Sequence, residues 1–212
     1  MEWHVVFFLG AYHGINPGMG WLFAVALGMQ QGSARGVWRA VAPIALGHIA
    51  AVGSVLLIAG LAQVIVPLST MKVVVACLLV VFGLYRLWRH GHPKFVGMQV
   101  GFRDLVLWSF LMASAHGAGL MLLPFVMNMS GHVFAATGSH AHHSAMVASS
   151  TVPWVAALAL GLHTAAYFLV LAGVAWLVYH KLGLGILRKA WLNLDLIWSG
   201  ALVGTGLFVL CF

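Results

Sequence analysis

Apolar residues run through this chain in six long stretches, and most of the charged residues lie near the ends of those stretches or between them. A helix that crosses a membrane needs about 20 predominantly apolar residues, and each stretch is close to that length or longer. The pattern therefore predicts an all-α integral membrane protein with six transmembrane helices. The predicted helices span residues 4–29, 39–66, 71–88, 104–128, 151–179 and 191–212.

Composition supports this class of protein. The 212 residues are 63% hydrophobic and only 6% charged, with a mean hydropathy of +1.03, which leaves too little polar surface for a water-soluble domain. A formal charge of +7 would indicate nucleic acid in a soluble chain, but basic residues at membrane ends set orientation. We therefore predict a lipid bilayer, and no nucleic acid, as the partner. The apolar start is expected to be a first helix rather than a signal peptide.

The connecting segments sort by charge. Of the ten Lys and Arg residues, all except Lys72 lie near the junctions that follow the first, third and fifth stretches. Positively charged junctions stay in the cytoplasm, so both termini are predicted to be extracytoplasmic. The protein is then expected to be a multi-pass protein of a bacterial inner membrane.

The second half of the chain repeats the first. Each half places a His-Gly pair in its first apolar stretch, and a second histidine beside a small residue in its next stretch. Three helices per copy is an odd number, so the second copy enters the membrane from the opposite side. The copies, residues 1–95 and 96–212, are therefore predicted to form a 3+3 inverted-topology repeat, an architecture common in transporters. The repeated histidines are His13 and His116, followed by His48 and His163.

Counting along the predicted helices brings these four histidines towards one depth. His13 lies about nine residues into its helix, roughly 14 Å at ~1.5 Å per residue, which is close to the middle of the bilayer. The first and fourth helices are expected to break near this level. Asn16, Pro17 and Gly18 predict the first break, and Pro124 is the proline of the fourth helix.

Four histidines in apolar sequence predict a metal site. Neutral imidazole is the commonest metal ligand in proteins, and an all-histidine set suits nickel, cobalt, copper, zinc or iron. No acidic residue lies at this depth, so a divalent ion would keep its positive charge. Asn16, Met19 and Met112 are secondary candidates along the substrate path, and the thioethers would suit a soft ion such as Cu(I). Whether the four histidines form one site or two is left open.

A His-rich segment separates the fourth and fifth stretches. Residues 129–150 are rich in Ser, Ala and Gly and contain no Lys or Arg, which predicts an extracytoplasmic loop. Such a loop is expected to gather metal ions from solvent. Its histidines are His132, His140, His142 and His143.

The first stretch, LGAYHGINPGMGW, resembles the first-helix signature of the nickel/cobalt efflux family within the lysine-exporter superfamily. In that signature a His-Gly or His-Ala pair is followed by Glu-Pro-Gly-His. The resemblance implies about six helices, a His-rich loop, His13 as a binding histidine and export of transition-metal cations. The chain departs from the signature at Asn16, Met19 and Trp21, where the family has Glu, His and Lys. The matching residues are Leu9, Gly10, Ala11, His13, Gly14, Pro17, Gly18 and Gly20.

Other functions fit the same histidines. Pairs of histidines on neighbouring helices also hold haem b in membrane cytochromes, so a haem-binding or metal-centred electron-transfer subunit is one alternative. A structural or metal-delivery subunit, as a homo-oligomer or within a membrane complex, is another. No nucleophile with an adjacent base is evident, so the chain is predicted not to be an enzyme.

Overall fold

A computed structural model describes residues 2–62, 65–88, 101–136, 141–182 and 194–211. Within these ranges the chain is helical, with short turns and no strand. The helices follow the predicted stretches closely, so the prediction of an all-helical protein is confirmed. They are α1 (Glu2–Ile15), α2 (Trp21–Gln30), α3 (Ala34–Ala62), α4 (Leu68–Trp88), α5 (Phe102–Ala115), α6 (Ala118–Ala136), α7 (Ala141–Leu177) and α8 (Leu194–Cys211), and a π turn (Val178–Leu182) follows α7.

The first stretch is broken where the sequence predicts it. A single 3₁₀ turn, Pro17–Met19, separates α1 from α2. Asn16 begins this turn, and its side-chain oxygen accepts a hydrogen bond from the backbone N–H of Gly18 at 2.9 Å. Gly20 ends it with φ at +126°, a conformation that side-chain-bearing residues rarely adopt. Proline, a local cap and glycine together therefore redirect the chain.

This break frees two backbone carbonyls, and a side-chain donor meets each of them. The indole Nε1–H of Trp21 donates to the carbonyl of Ile15 at 2.8 Å. The hydroxyl of Tyr167, on α7, donates to the carbonyl of Met19 at 2.7 Å. An apolar environment offers no water to such carbonyls, so these two side chains make the break tolerable.

The fourth stretch is broken as well, at a glycine rather than at its proline. Helices α5 and α6 meet at an angle of 61°, and Gly117, with φ at +68°, lies between them. Pro124 lies inside α6, whose helix continues past it to Ala136. Gly117 makes the bend because it adopts positive φ without strain, whereas a proline removes only one hydrogen bond from a helix that packing supports.

Some of the helices are long and apolar enough to cross a membrane. Among the described residues, Ala34–Ala62 and Trp154–Lys181 meet that criterion alone, and the bent pair α5–α6 meets it when counted as one span. Their outward faces are apolar: Leu57, Ile58 and Leu61, for example, are each about two-thirds exposed. These features indicate a membrane protein. The shorter apolar helices are Trp21–Gln30, Ser69–Tyr85 and Ser199–Cys211.

The segment predicted as a loop, residues 129–150, differs in its described parts. Helix α6 continues to Ala136, and α7 begins at Ala141. Alanine is abundant here and proline is absent, so the local sequence favours helix over an irregular loop. Residues 137–140, and the side chains of residues 130–153, lie outside the described part of the chain.

Helices from the two halves pack against each other across the protein. Helix α1 packs on α7, α3 packs on α5, and α4 packs on α8. Glycines permit the first two contacts: a Cβ atom at Gly10 would collide with the backbone carbonyl of His163, and one at Gly47 would collide with that of Val106. Because both glycines lie within one turn of a site histidine, the two contacts bring His13 and His48 into the protein interior.

Replacing Gly47 with alanine should destabilise the protein. The added Cβ would overlap the Val106 carbonyl and lie 2.8 Å from the Cβ of Ser109, so α3 and α5 must separate. We expect a loss of about 1–3 kcal/mol in the free energy of unfolding, measured in mixed micelles. Gly60→Ala, on the same helix and with no atom within 4 Å of the added Cβ, is the matched control. Equal effects of the two substitutions would contradict this view of the α3–α5 contact.

Candidate functional site

Three of the four repeated histidines meet in the interior. His13 comes from α1, His48 from α3 and His163 from α7, and none of their side chains is exposed. The ring centres are 5.6 Å apart for His13 and His48, 5.1 Å for His13 and His163, and 5.4 Å for His48 and His163. The sequence predicted that these residues would lie near one depth, and the fold brings them into one cluster.

The His48 and His163 rings are nearly parallel and joined by a hydrogen bond. Their planes differ by 12°, and their Nε2 atoms are 3.3 Å apart. Of two neutral imidazoles, one must donate this hydrogen and the other must accept it. The Nδ1 atom of His48 is buried and has no hydrogen-bond partner among the described residues. This pair is therefore only partly satisfied, which is costly in an apolar interior.

His13 and His116 each make a hydrogen bond to a carbonyl of their own helix, and this bond fixes the tautomer of the ring. The Nδ1 of His13 lies 2.7 Å from the carbonyl of Leu9, and the Nδ1 of His116 lies 2.7 Å from the carbonyl of Met112. A carbonyl only accepts, so Nδ1 carries the hydrogen in both rings and Nε2 is the acceptor nitrogen. A backbone carbonyl on the other ring nitrogen is the usual arrangement of a metal-binding histidine. In the first half this histidine lies two residues before the end of α1, and in the second half it directly follows the last residue of α5.

His116 lies beside the break in the first half. It is 2% exposed, and a Cβ atom at Gly18 would be 3.8 Å from its Nε2 and 3.2 Å from the Oδ1 of Asn16. The imidazole and the amide are therefore packed around Gly18. His116 is also close enough to His13 to interact with it electrostatically. The fourth histidine therefore belongs to the same region as the other three.

The secondary candidates divide into two groups. Asn16 and the two methionines, Met19 and Met112, are buried in the segments that carry the histidines, and the backbone carbonyls of both methionines accept side-chain hydrogen bonds. The side chains of the remaining candidates, the histidines of residues 129–150, lie outside the described part of the chain: His132, His140, His142 and His143.

Tyr167 is a site residue that the sequence analysis missed. Its ring lies on that of His48, with centres 3.8 Å apart and planes 13° apart, and its hydroxyl reaches the Met19 carbonyl. One residue thus joins α7 to both α3 and the broken segment. The signal was present in the sequence, because Tyr167 follows His163 by four residues and so lies on the same face of its helix.

The ring centres are close enough together for a shared metal ion, but the ring nitrogens do not point at a common position. As their side chains stand, the described His, Cys, Asp and Glu residues form no group of three or more that could hold a metal ion. His48 and His163 direct their Nε2 atoms at each other. A cation would therefore have to replace the hydrogen bond between these two rings.

Comparisons with protein-family models, with curated proteins and with solved structures find no match to this chain. The resemblance of the first stretch to the nickel/cobalt efflux family stays a prediction from the sequence.

Removing the hydroxyl of Tyr167 should loosen the site. In Tyr167→Phe the ring still stacks on His48, but the buried carbonyl of Met19 loses its donor. We expect a loss of about 1–3 kcal/mol in the free energy of unfolding. Tyr179→Phe, which alters a half-buried tyrosine whose ring lies near Gly28, is the control and should change it by less than about 0.5 kcal/mol. If both variants unfold alike, the bond across the break has no special importance.

Proposed function

We propose that this protein is a membrane transporter that moves a transition-metal cation of the nickel, cobalt, copper or zinc class. The substrate would bind at His13, His48 and His163, with His116 close by. The single observation that carries this proposal is the spacing of the three buried imidazole rings, whose centres lie 5.1–5.6 Å apart.

These ring-centre distances can be compared with those of imidazoles that bind one metal ion. With metal–nitrogen bonds of about 2.0–2.1 Å, the centres of two imidazoles on one ion lie about 5.2 Å apart at a tetrahedral angle and about 5.5 Å apart at a trigonal angle. All three measured distances fall close to these values. The two nitrogens themselves would be about 3.3 Å apart in the tetrahedral case, which equals the His48–His163 separation of 3.3 Å.

Binding would require only local rearrangement. The rings of His48 and His163 must turn so that their Nε2 lone pairs point at the ion rather than at each other. The hydrogen bond that is lost is a single one between neutral groups, worth about 1 kcal/mol, whereas bonds to a transition metal are far stronger.

Helix packing supports the inverted repeat. If α1 corresponds to α5, α3 to α7 and α4 to α8, exchanging the two halves turns the α1–α7 contact into the α5–α3 contact and leaves α4–α8 unchanged. The described chain contains all three contacts. A site at the interface of two such halves, next to broken helices, is the arrangement from which alternating access by rocking develops.

Six spans follow from pairing the helices. We propose that α1–α2 and α5–α6 are broken spans and that α3, α4, α7 and α8 are single ones. The charge pattern then favours a bacterial inner membrane with both termini outside the cytoplasm. The direction of transport, export, is supported only by the resemblance of the first stretch to metal efflux proteins.

Haem is the weaker candidate for these histidines. Two axial imidazoles on opposite faces of a haem would place their ring centres about 6 Å apart, with the porphyrin between them. The three measured ring-centre distances are all shorter, and the His48 and His163 rings touch through a hydrogen bond. We therefore do not propose a haem protein, and purification of a protein with a haem absorption band would contradict this choice.

Removing a cluster histidine should weaken metal binding and transport together. We expect His13→Gln and His163→Gln to weaken binding of the transported ion by at least about tenfold, because each removes one ligand. Binding is measured by equilibrium dialysis of purified protein with elemental analysis, and transport is measured as uptake of the ion into vesicles that contain the protein. His180→Gln is the control, since this exposed histidine lies on the π turn after α7. Normal binding and transport by both cluster variants would refute the proposal.

Cysteine labelling can test the orientation. In a variant whose two cysteines, Cys77 and Cys211, are replaced by serine, Ser33→Cys lies between α2 and α3 and Ser69→Cys lies at the start of α4. We expect an impermeant thiol reagent added to whole cells to label position 69 and spare position 33. Permeabilised cells, in which both positions should react, provide the control. The reverse pattern would invert the topology, and labelling of both sites in intact cells would contradict it.

A further inference from the structure

The acidic residues of the chain are few and lie at the starts of helices. The sequence contains only three, and each lies in the first turn of a helix: Glu2 in α1, Asp104 in α5 and Asp195 in α8. The carboxylate of Asp104 is already engaged, because it accepts a hydrogen bond from the backbone N–H of Gly101 at 2.9 Å. Asp195 begins α8, which packs chiefly on α4 rather than on the helices that carry His13, His48 and His163.

Helix geometry gives the separation. His13 follows Glu2 by eleven residues along α1, and His116 follows Asp104 by twelve at the end of α5. At ~1.5 Å per residue these are distances of about 16 Å and about 18 Å along the helix axes. An ion bound by neutral imidazoles would therefore keep its whole charge inside an apolar bundle.

From this we propose that the transported ion is monovalent, namely Cu(I), with Ag(I) as its analogue. This inference rests on the proposed function and names its substrate. The free-energy cost of moving an ion out of water rises with the square of its charge, so a neutral ligand shell penalises a divalent ion about four times as much as a monovalent one. Without a carboxylate among their ligands, Zn²⁺, Ni²⁺ and Co²⁺ would each bear this larger penalty.

Two further observations agree with a soft monovalent ion. Three imidazoles at a trigonal angle have ring centres about 5.5 Å apart, and the measured distances of 5.1–5.6 Å accommodate this arrangement as well as the tetrahedral one. Two buried methionines, Met19 and Met112, lie in the same segments as His13 and His116. Thioethers favour Cu(I) over divalent ions, so the surroundings of the cluster are matched to the same substrate.

The test compares the affinities of several ions for the purified full-length protein in lipid nanodiscs. Cu(I) is measured under reducing, oxygen-free conditions by competition with a chromogenic chelator, Ag(I) by competition with Cu(I), and Zn²⁺ and Ni²⁺ by equilibrium dialysis. We expect Cu(I) and Ag(I) to bind at least about 100-fold more tightly than either divalent ion. Equal or tighter binding of Zn²⁺ or Ni²⁺ would overturn this inference while leaving the proposed transporter intact. Failure of all four ions to bind would overturn both.

A carboxylate placed near the cluster should narrow the preference. Asn16→Asp puts one close to His116 with little change in shape, and its Oδ1 can keep the hydrogen bond to Gly18. We expect the affinity for Ni²⁺ or Zn²⁺ to rise by at least about tenfold, because the charge of a divalent ion is then partly neutralised. Asn128→Asp, whose residue accepts a hydrogen bond from Lys72 at 2.7 Å, is the matched control and should leave the ion preference unchanged. A folded Asn16→Asp protein with an unchanged ion preference would argue against the electrostatic explanation.

Discussion

The need to satisfy polar groups inside an apolar bundle governs the architecture around the histidines. A break in a buried helix exposes carbonyls that water cannot reach, and each exposed carbonyl must find a donor on another side chain. The hydroxyl of Tyr167 and the indole of Trp21 meet this need at the first break. The same requirement directs the Nδ1 atoms of His13 and His116 to the carbonyls one turn earlier. Breaks and histidines are thus parts of one hydrogen-bonding arrangement.

Close helix contacts then determine which histidines meet. Two of the contacts between the halves, α1 on α7 and α3 on α5, are possible because a glycine lies at the crossing point, Gly10 in one and Gly47 in the other. Each glycine is within three residues of a site histidine. A larger residue at either position would separate the helices by about the width of a methyl group. A displacement of that size is enough to stop two imidazoles from binding the same ion. Packing and chemistry are therefore coupled at the same residues.

Much of this could be predicted from the sequence, and the parts that could not have physical reasons. Helix positions and the first break were predictable, because hydrophobic length and the Asn16-Pro17-Gly18 run are local signals. The grouping of His13, His48 and His163 was predictable only as a shared depth, since sequence gives no rotation of one helix about another. The second break was expected with Pro124 as its proline, but it occurs at Gly117, because a packed helix tolerates proline more readily than a sharp bend tolerates a side chain. Tyr167 was missed because it contacts His48 and Met19, which lie 119 and 148 residues away in the sequence.

The partly satisfied state of the cluster agrees better with the proposed transport site than with a purely structural one. A histidine cluster that only held helices together would pair every nitrogen, because each unpaired one reduces stability. Here the Nδ1 of His48 has no partner among the described residues, and its Nε2 is engaged only with another histidine. This loss of stability is reasonable if a bound ligand satisfies the cluster nitrogens for part of the proposed transport cycle.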